Sequence, residues 1–139
     1  MINSRNLNDL HPKVKKLCEE FISKCEDQNI DVLITSTYRD KESQDALYAQ
    51  GRTKDGKIVT NAKGGQSFHN YRVAFDFVPI VGGKACWSDN NLFIKCGEIG
   101  ESIGLEWAGR WKGSMKEMAH MQFTSGLKLL DFQQGKTYE

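Results

Sequence analysis

Dense basic runs, paired cysteines and long apolar runs are all missing from this sequence of 139 residues. Nineteen basic and 18 acidic side chains leave a formal charge of +1, so nucleic acid is not an expected partner. No apolar run approaches the length of a membrane span, and the N-terminus lacks the apolar core of a signal peptide. We therefore expect synthesis in the cytoplasm without membrane insertion.

The four cysteines form no CxxC pair, which argues against a cysteine-rich zinc knuckle. Cys18 and Cys25 would lie about 10 Å apart on one helix, too far for a disulfide bond between them. We expect reduced thiols, although the spacing leaves a bridge between Cys86 and Cys96 open. An apolar fraction of 39% and a charged fraction of 27% are typical of globular proteins, and the length predicts one domain spanning 1–139.

Apolar periodicity predicts several helices and strands. Apolar residues at three- and four-residue steps predict a helix over Lys13–Glu26, and β-branched residues predict a buried strand in DVLITSTYR. VAFDFVPI predicts a second strand, with Asp76 on the same face as the small Ala74. The other predicted elements are helices after Asp40 and over Asn90–Ile103, a loop over Arg52–Gln66, a turn at Gly82 and Gly83, a last strand carrying His120 and Gln122, and a short helix in SGLKLLDFQQGK.

The positions of the histidines are more informative about function. Only three are present, and His69 stands seven residues before Asp76, a carboxylate set in an otherwise apolar strand. An unpaired carboxylate in such a place is costly, so another group must compensate its charge. Zinc accepts imidazole nitrogen and carboxylate oxygen, and a catalytic zinc site uses three protein ligands and a water molecule. The pair therefore suggests part of a metal site.

A shared metal places two conditions on the chain. His69 and Asp76 would fall on opposite faces of a straight strand, so a bend must intervene, which the two residues after His69 can supply. A third donor is also required. It would be His11, beside a proline at a helix start, or His120, on a strand that the sheet can bring alongside Asp76. His120 is the better geometric candidate.

Glu117 and Arg39 would add the remaining groups of a hydrolase. Glu117, in a loop that enters the strand of His120, could reach a water at the metal and take its proton. Arg39, at the C-terminal end of the first strand, would place a fixed positive charge where an oxyanion develops. Each residue also has a plainer explanation: Asp76 can cap backbone amides, Glu117 can be a solvated charge, and Arg39 can form a salt bridge.

Four motifs in order resemble those of one family of zinc peptidases. SFHNYRVAFD (67–76) is similar to the S-x-H-x-x-G-x-A-x-D motif of the peptidases that include phage L-alanyl-D-glutamate endopeptidases and D-Ala-D-Ala carboxypeptidases and dipeptidases. EMAH (117–120) is similar to the family's acid-x-x-H motif. TYRDKESQDALYAQGR (37–52) resembles its Y-R-S/T…Q…L-Y-x-x-G-R segment, and GLEWAGRW (104–111) resembles its G-L-x-W-G-G-x-W segment.

The resemblance implies a fold and a set of roles. The fold would be a small α+β domain with a central, mainly antiparallel sheet flanked by helices, as in hedgehog-like proteins and D-Ala-D-Ala peptidases. His69, Asp76 and His120 would be the ligands of one Zn²⁺ ion. Glu117 would be the catalytic base, and Arg39 would stabilise the oxyanion.

Three further positions are candidate substrate-binding residues: Gln44, Ser67 and Trp107. The sequence leaves two alternatives open for the tryptophans, because Trp107 and Trp111 could pack in the core or wall a cleft.

The resemblance also implies a substrate and a biological role. The G-L-x-W and L-Y-x-x-G-R segments are most similar to those of endopeptidases from phage lysis cassettes and related bacterial cell-wall enzymes. The implied substrate is the stem peptide of bacterial peptidoglycan, cut between L-Ala and D-Glu. We expect a monomeric phage endolysin with no separate wall-binding domain, which reaches the wall through a holin or after cell rupture.

Two positions depart from the family pattern. Arg72 stands where the motif has glycine, so it either adopts a strained left-handed backbone or takes an ordinary conformation and directs its charge toward an acidic substrate group. Glu117 stands where the endopeptidases often carry aspartate and the carboxypeptidases carry glutamate. A D,D-carboxypeptidase that removes terminal D-Ala is therefore an alternative. A non-catalytic, zinc-stabilised wall-binding module is another, but such a site would need neither Glu117 nor Arg39.

Overall fold

The protein contains four α-helices and five β-strands, and the computed structural model describes all 139 residues. In chain order the elements are α1 (Pro12–Asp27), β1 (Asp31–Ser36), α2 (Lys41–Ala49), β2 (Ala74–Val81), β3 (Lys84–Ala85), α3 (Asn90–Ser102), β4 (Glu106–Trp107), β5 (His120–Gln122) and α4 (Leu129–Gln133). The predicted helices and strands are present, with bounds that differ by a few residues. None of the helices is long and apolar enough to cross a membrane.

The strands form one antiparallel sheet in the order β1-β2-β5-β4, with β3 paired to the end of β2. Residues directly opposite each other in such a sheet point to the same face. Asp76 lies opposite His120 and also opposite Ser36, so these polar residues share one face. Phe75 lies opposite Met121 on the other face. The mixed helix and sheet class expected from the sequence is confirmed.

The apolar face of the sheet is covered by α1 and α3. The three- and four-residue spacing of α1 buries Val14, Cys18, Phe21 and Cys25 completely. The ring of Phe21 packs between two strand residues, with its centroid 5.9 Å from that of Phe75 and 5.1 Å from that of Phe77. All four cysteines are free thiols, so the bridge that the sequence left open is not formed.

Two long connections lie on the opposite, polar face. One joins α2 to β2 over residues 50–73, and the other joins β4 to β5 over residues 108–119. Both supply residues to a cleft of about 610 Å³ that also contains His69, Asp76 and His120. The helices therefore support the sheet from one side, and the loops build the site on the other.

Candidate active site

Three side chains proposed as metal ligands from the sequence meet on the polar face of the sheet. Nε2 of His69 lies 3.1 Å from Oδ1 of Asp76, and Nδ1 of His120 lies 3.3 Å from the same oxygen. The candidate ligand atoms of the three residues all lie within 4.8 Å of one another. The carboxylate that the sequence placed in an apolar strand is thus compensated by two imidazoles.

The outward nitrogens of both histidines are held by oxygen acceptors. Nδ1 of His69 lies 2.8 Å from the carbonyl oxygen of Thr37, and Nε2 of His120 lies 2.8 Å from Oε1 of Gln122. Because these oxygens only accept hydrogen bonds, each of the two nitrogens carries a proton. The other ring nitrogens, Nε2 of His69 and Nδ1 of His120, therefore face Asp76, where a metal could take the place of their protons. Two nitrogens and one carboxylate oxygen fit a catalytic zinc ion.

The pKa values of the cluster follow from this packing. Burial favours the neutral form of Asp76, but the charge and hydrogen bonds of His69 and His120 outweigh it and hold the carboxyl pKa well below its usual range. Burial also favours neutral His120, yet the hydrogen bond and charge of Asp76 raise the imidazole pKa. Asp76 is therefore ionised at neutral pH, which is the form that a metal requires.

A tight bend brings His69 back over Asp76. A 3-10 turn spans Phe68–Tyr71, and the side chain of Ser67 accepts a hydrogen bond from the His69 N–H at 3.2 Å. Asn70 completes a capping box with Ser67. Arg72 ends the turn in the left-handed region, at φ 67° and ψ 19°. The bend expected just after His69 is present, and it places both candidate ligands on the same side of the sheet.

The structure also decides between the two alternatives for Arg72. The residue does adopt the left-handed backbone that the motif's glycine would take freely. Its side chain points away from the cleft: Nη1 donates to the carbonyl oxygen of Asp9 at 2.8 Å, and the guanidinium lies 3.8 Å from the centroid of the Tyr38 ring. Arg72 is therefore a structural residue, and its charge is not directed at substrate.

A comparison of Arg72→Gly with Arg72→Ala isolates the backbone strain at this position. Both variants lose the contacts with Asp9 and Tyr38, but only alanine keeps a Cβ in a left-handed conformation. We expect the glycine variant to be more stable than the alanine variant by about 1 kcal/mol in urea unfolding. An alanine variant as stable as the glycine variant would contradict a strained backbone at this turn.

Glu117 lies at the mouth of the site. Its Oε2 is 3.7 Å from Nδ1 of His120, the nitrogen that faces Asp76, and its side chain is 59% exposed. It follows a short 3-10 turn at Gly113–Met115 and lies in the loop before β5, as the sequence indicated. A carboxylate in this position is close to any ion held by the three candidate ligands and remains open to water.

Arg39 lines the same cleft and is fixed by two neutral acceptors. Nη1 donates to Oε1 of Gln44 at 2.9 Å, and Nη2 donates to Oγ of Ser36 at 3.1 Å. Its Nε is buried without a protein partner. Burial lowers the pKa of Arg39, and the carboxylates of Asp76 and Glu117 oppose that shift. The guanidinium remains charged, and Nε is its one nitrogen without a hydrogen-bond partner.

The three candidate substrate residues lie in different surroundings. Gln44 is only 1% exposed, and its amide joins Arg39 to the loop, because Nε2 donates to the carbonyl oxygen of Ala62 at 2.8 Å. Ser67 lines the cleft and also caps the turn of His69. The ring of Trp107 is buried in the core, so close to Gly97 that a Cβ there would lie 2.2 Å from it.

Trp111, and not Trp107, lies on the cleft wall. The Trp111 ring centroid is 5.6 Å from that of His120, and its Nε1 donates to Oε2 of Glu106 at 2.9 Å. Both tryptophans occur in one aromatic and glycine-rich segment, which does not reveal which ring faces inward. His11, the other candidate donor, lies outside the site, where its ring caps α1 and contacts the carbonyl oxygen of Tyr138.

The sequence did not identify the groups that orient the histidines. Thr37 acts through its backbone carbonyl, which any residue could supply, so no side-chain pattern reveals it. Gln122 could have been found, because it lies two residues after His120 and shares its face of β5. A polar residue two positions from a candidate ligand on a strand is in reach of the ligand's outer nitrogen.

Replacing Gln122 tests whether this orientation matters for metal binding. We expect Gln122→Leu to lower zinc affinity about 10- to 100-fold, because Nε2 of the buried His120 loses its acceptor. Gln122→Glu retains an acceptor and should bind zinc like the parent protein. Titration calorimetry on both variants, with circular dichroism as a folding control, makes the comparison. Unchanged affinity in folded Gln122→Leu would show that the hydrogen bond does not orient the ligand.

Residues 7–125 match the VanY family, described as D-alanyl-D-alanine carboxypeptidase, and the protein belongs to this family. Among its relatives is the peptidoglycan L-alanyl-D-glutamate endopeptidase CwlK of Bacillus subtilis (strain 168). The two are 40% identical over 124 residues, which cover 83% of this chain and 74% of CwlK. The family resemblance that the four motifs suggested is thus confirmed.

A phage protein is a second relative. The L-alanyl-D-glutamate peptidase of Listeria phage A118 is 30% identical over 122 residues, which cover 85% of this chain but only 39% of the phage protein. The similarity is therefore limited to part of that longer protein.

Solved structures of similar proteins agree with the fold. The L-Ala D-Glu endopeptidase ChiX of Serratia marcescens superposes with a TM-score of 0.65 at 17% identity, covering 95% of this chain and 92% of ChiX. The vancomycin resistance D,D-pentapeptidase VanY in complex with Zn(II), an E175A mutant, gives a TM-score of 0.62 at 12% identity, with coverage of 88% and 78%. At these identities the likeness establishes the shared fold.

Proposed function

We propose that this protein is a zinc peptidase that hydrolyses the bond between L-Ala and D-Glu in peptidoglycan stem peptides. The observation that carries the proposal is the convergence of His69, Asp76 and His120 beside the carboxylate of Glu117, in a cleft that also contains Arg39. The 40% identity to an L-alanyl-D-glutamate endopeptidase supports the choice of bond.

His69, Asp76 and His120 would hold one zinc ion. When bound, zinc would polarise the scissile carbonyl and make water acidic enough to lose a proton near neutral pH. The carbonyl of Thr37 and the amide of Gln122 keep the two imidazoles oriented, with their inward nitrogens toward the metal position. The protein thus supplies an oriented set of donors.

Glu117 and Arg39 carry out the remaining steps. Glu117 takes a proton from the attacking water while the water oxygen bonds to the L-Ala carbonyl carbon. When the C–N bond breaks, Glu117 gives that proton to the departing D-Glu amine. Arg39 holds positive charge beside the carbonyl oxygen as negative charge grows on it. The products are a carboxylate on L-Ala and a free amine on D-Glu.

The cleft has the shape of a groove for a peptide. It continues past Trp111 into a cavity of about 380 Å³ between the loop at Ile58 and Val59 and the loop at Met115 and Glu117. Ile58, Val59 and Met115 are more than half exposed, so apolar side chains line both walls in front of the base. Such walls can hold the small side chain of L-Ala and the stem peptide next to the reacting bond.

A D,D-carboxypeptidase is the second candidate function. It is favoured by the glutamate at position 117, the acid that the carboxypeptidase branch of the family carries, and by the description of the matching family. The endopeptidase and the carboxypeptidase cut different bonds, so the reaction products distinguish the two activities.

Mass spectrometry of defined muropeptides tests the proposal. The zinc-loaded protein is incubated with a stem pentapeptide attached to its disaccharide, alongside a chelated sample. We expect fragments that begin at D-Glu, formed only with metal. Loss of terminal D-Ala alone would identify a carboxypeptidase. An intact substrate that nevertheless binds the protein would identify a wall-binding module.

A role in lysis of a phage host is part of the same proposal. The relative from a Listeria phage supports it, whereas the relative from Bacillus subtilis supports a role in cellular wall metabolism. Addition of the pure protein to a panel of bacterial cell walls, with turbidity loss as the readout, would distinguish broad wall degradation from activity on a narrow set of hosts.

A further inference from the structure

The first four residues lie against the strand end that carries Arg39. Ser4 and Thr37 are joined through a backbone hydrogen bond of 2.7 Å, Ser4 donates to the Tyr38 carbonyl at 2.8 Å, and Asp40 donates to the Ile2 carbonyl at 2.9 Å. Asn3 consequently pairs with Arg39 in an isolated antiparallel bridge. This places Asn3 in the lining of the catalytic cleft, outside the segment that matches the family.

A chain of polar side chains connects Asn3 to the guanidinium of Arg39. Oγ of Ser36 accepts a hydrogen bond from Nη2 of Arg39 at 3.1 Å and donates its own proton to Oδ1 of Asn3 at 3.3 Å. A hydroxyl group has one proton. Because Ser36 donates that proton to Asn3, its lone pairs remain free to accept the hydrogen bond from Arg39. Ser36 is only 6% exposed, which limits its alternatives in water.

We infer that Asn3 is a positioning residue for the reaction, acting through Ser36 on Arg39. This inference rests on the proposed function, in which Arg39 stabilises the developing oxyanion. Gln44 holds the other terminal nitrogen, so Asn3 and Gln44 fix the guanidinium from two sides. With Asn3 removed, the Ser36 hydroxyl can rotate and the guanidinium gains freedom at Nη2. A donor that must be aligned in advance then loses part of its effect on the transition state.

Steady-state kinetics of Asn3→Ala on the defined muropeptide test the inference. We expect kcat to fall about three- to tenfold with KM within twofold of the parent value, because one neutral hydrogen bond in the chain is lost. Asn3→Asp keeps the Oδ1 acceptor and should recover most of kcat. Asn8→Ala, which removes an exposed asparagine from the same N-terminal segment, should match the parent protein.

A double-mutant cycle separates positioning from a general effect on stability. In an Arg39→Lys background the further change Asn3→Ala should leave kcat unchanged, because its route of action is already broken. Parent-like kcat in Asn3→Ala, an equal loss in the Arg39→Lys background, or no recovery in Asn3→Asp would each overturn the inference.

Nitrogen-15 NMR of the Arg39 side chain tests the same inference without catalysis. Two hydrogen-bonded terminal nitrogens restrict rotation of the guanidinium, so we expect separate Nη–H signals in the parent protein and their coalescence in Asn3→Ala. Signals that do not respond to Asn3→Ala would overturn the inference even if the peptide is not cleaved. An inactive parent protein with a responsive Arg39 signal would instead contradict the proposed function alone.

Discussion

Replacing Glu117 with glutamine is expected to leave a folded protein that binds zinc but cleaves muropeptides about 10²- to 10⁴-fold more slowly. Glutamine has nearly the same shape as glutamate but cannot accept the proton of the attacking water. Glu117 is 59% exposed, so its replacement disturbs little packing, and its Oε2 lies 3.7 Å from His120. The loss should appear in kcat, while calorimetry reports a zinc affinity close to that of the parent protein.

Two variants control this result. Glu117→Asp keeps a carboxylate one methylene shorter and should retain measurable activity, since aspartate is common at this position in the endopeptidases that the sequence resembles. Glu20→Gln removes an exposed carboxylate from α1, on the other side of the sheet, and should behave like the parent protein. A Glu117→Gln protein with parental kcat would eliminate Glu117 as the base.

Asp76→Asn is expected to have the largest effect on metal binding. The carboxylate is the one candidate ligand that contacts both histidines, at 3.1 and 3.3 Å. Loss of its charge should lower zinc affinity by more than about 100-fold. That factor is the largest loss expected when a residue that only orients a ligand is replaced. Cleavage should be lost with it at micromolar zinc.

Thermal unfolding gives the readout for this variant. Zinc that binds the folded state raises the melting temperature of the parent protein in a concentration-dependent way, and this rise should be absent in Asp76→Asn. Asp31→Asn, at the exposed start of β1, provides a matched control that should keep the full response to zinc. A zinc-dependent rise in Asp76→Asn equal to that of the control would show that Asp76 is not a ligand.

The sequence predicted the fold where local patterns decide it. The apolar spacing of α1 placed that helix within one residue at each end, because burial of one face fixes both its position and its length. The start of α2 after Asp40 was also predicted correctly, because the Asp40 side chain caps the helix by accepting a hydrogen bond from the Ser43 N–H. The last strand was predicted correctly at His120 and Gln122. Residues two positions apart on a strand point to the same face, and the two side chains do share one face of β5.

The remaining features depend on contacts that spacing does not determine. Pairing across the sheet brings His120, and not His11, beside Asp76. Trp107 is the indole that fits against the glycines of the core, which leaves Trp111 on the cleft wall. The backbone of Arg72 could not be read from its side chain, because arginine occupies a left-handed turn only when the surrounding structure compensates for the strain. Asn3 is distant in sequence from everything it contacts in the cleft.

The short strand β5 has a consequence for how the chain finds its native pairing. It alternates His120, Met121 and Gln122, so a slip of one residue against β2 would turn Met121 out of the core and move both polar residues into it. The strand itself contributes only three residues against such an error. A metal ion held by residues of both strands would add a penalty to every shifted register. Zinc bound during folding would therefore favour the correctly paired protein, in addition to any part it has in the reaction.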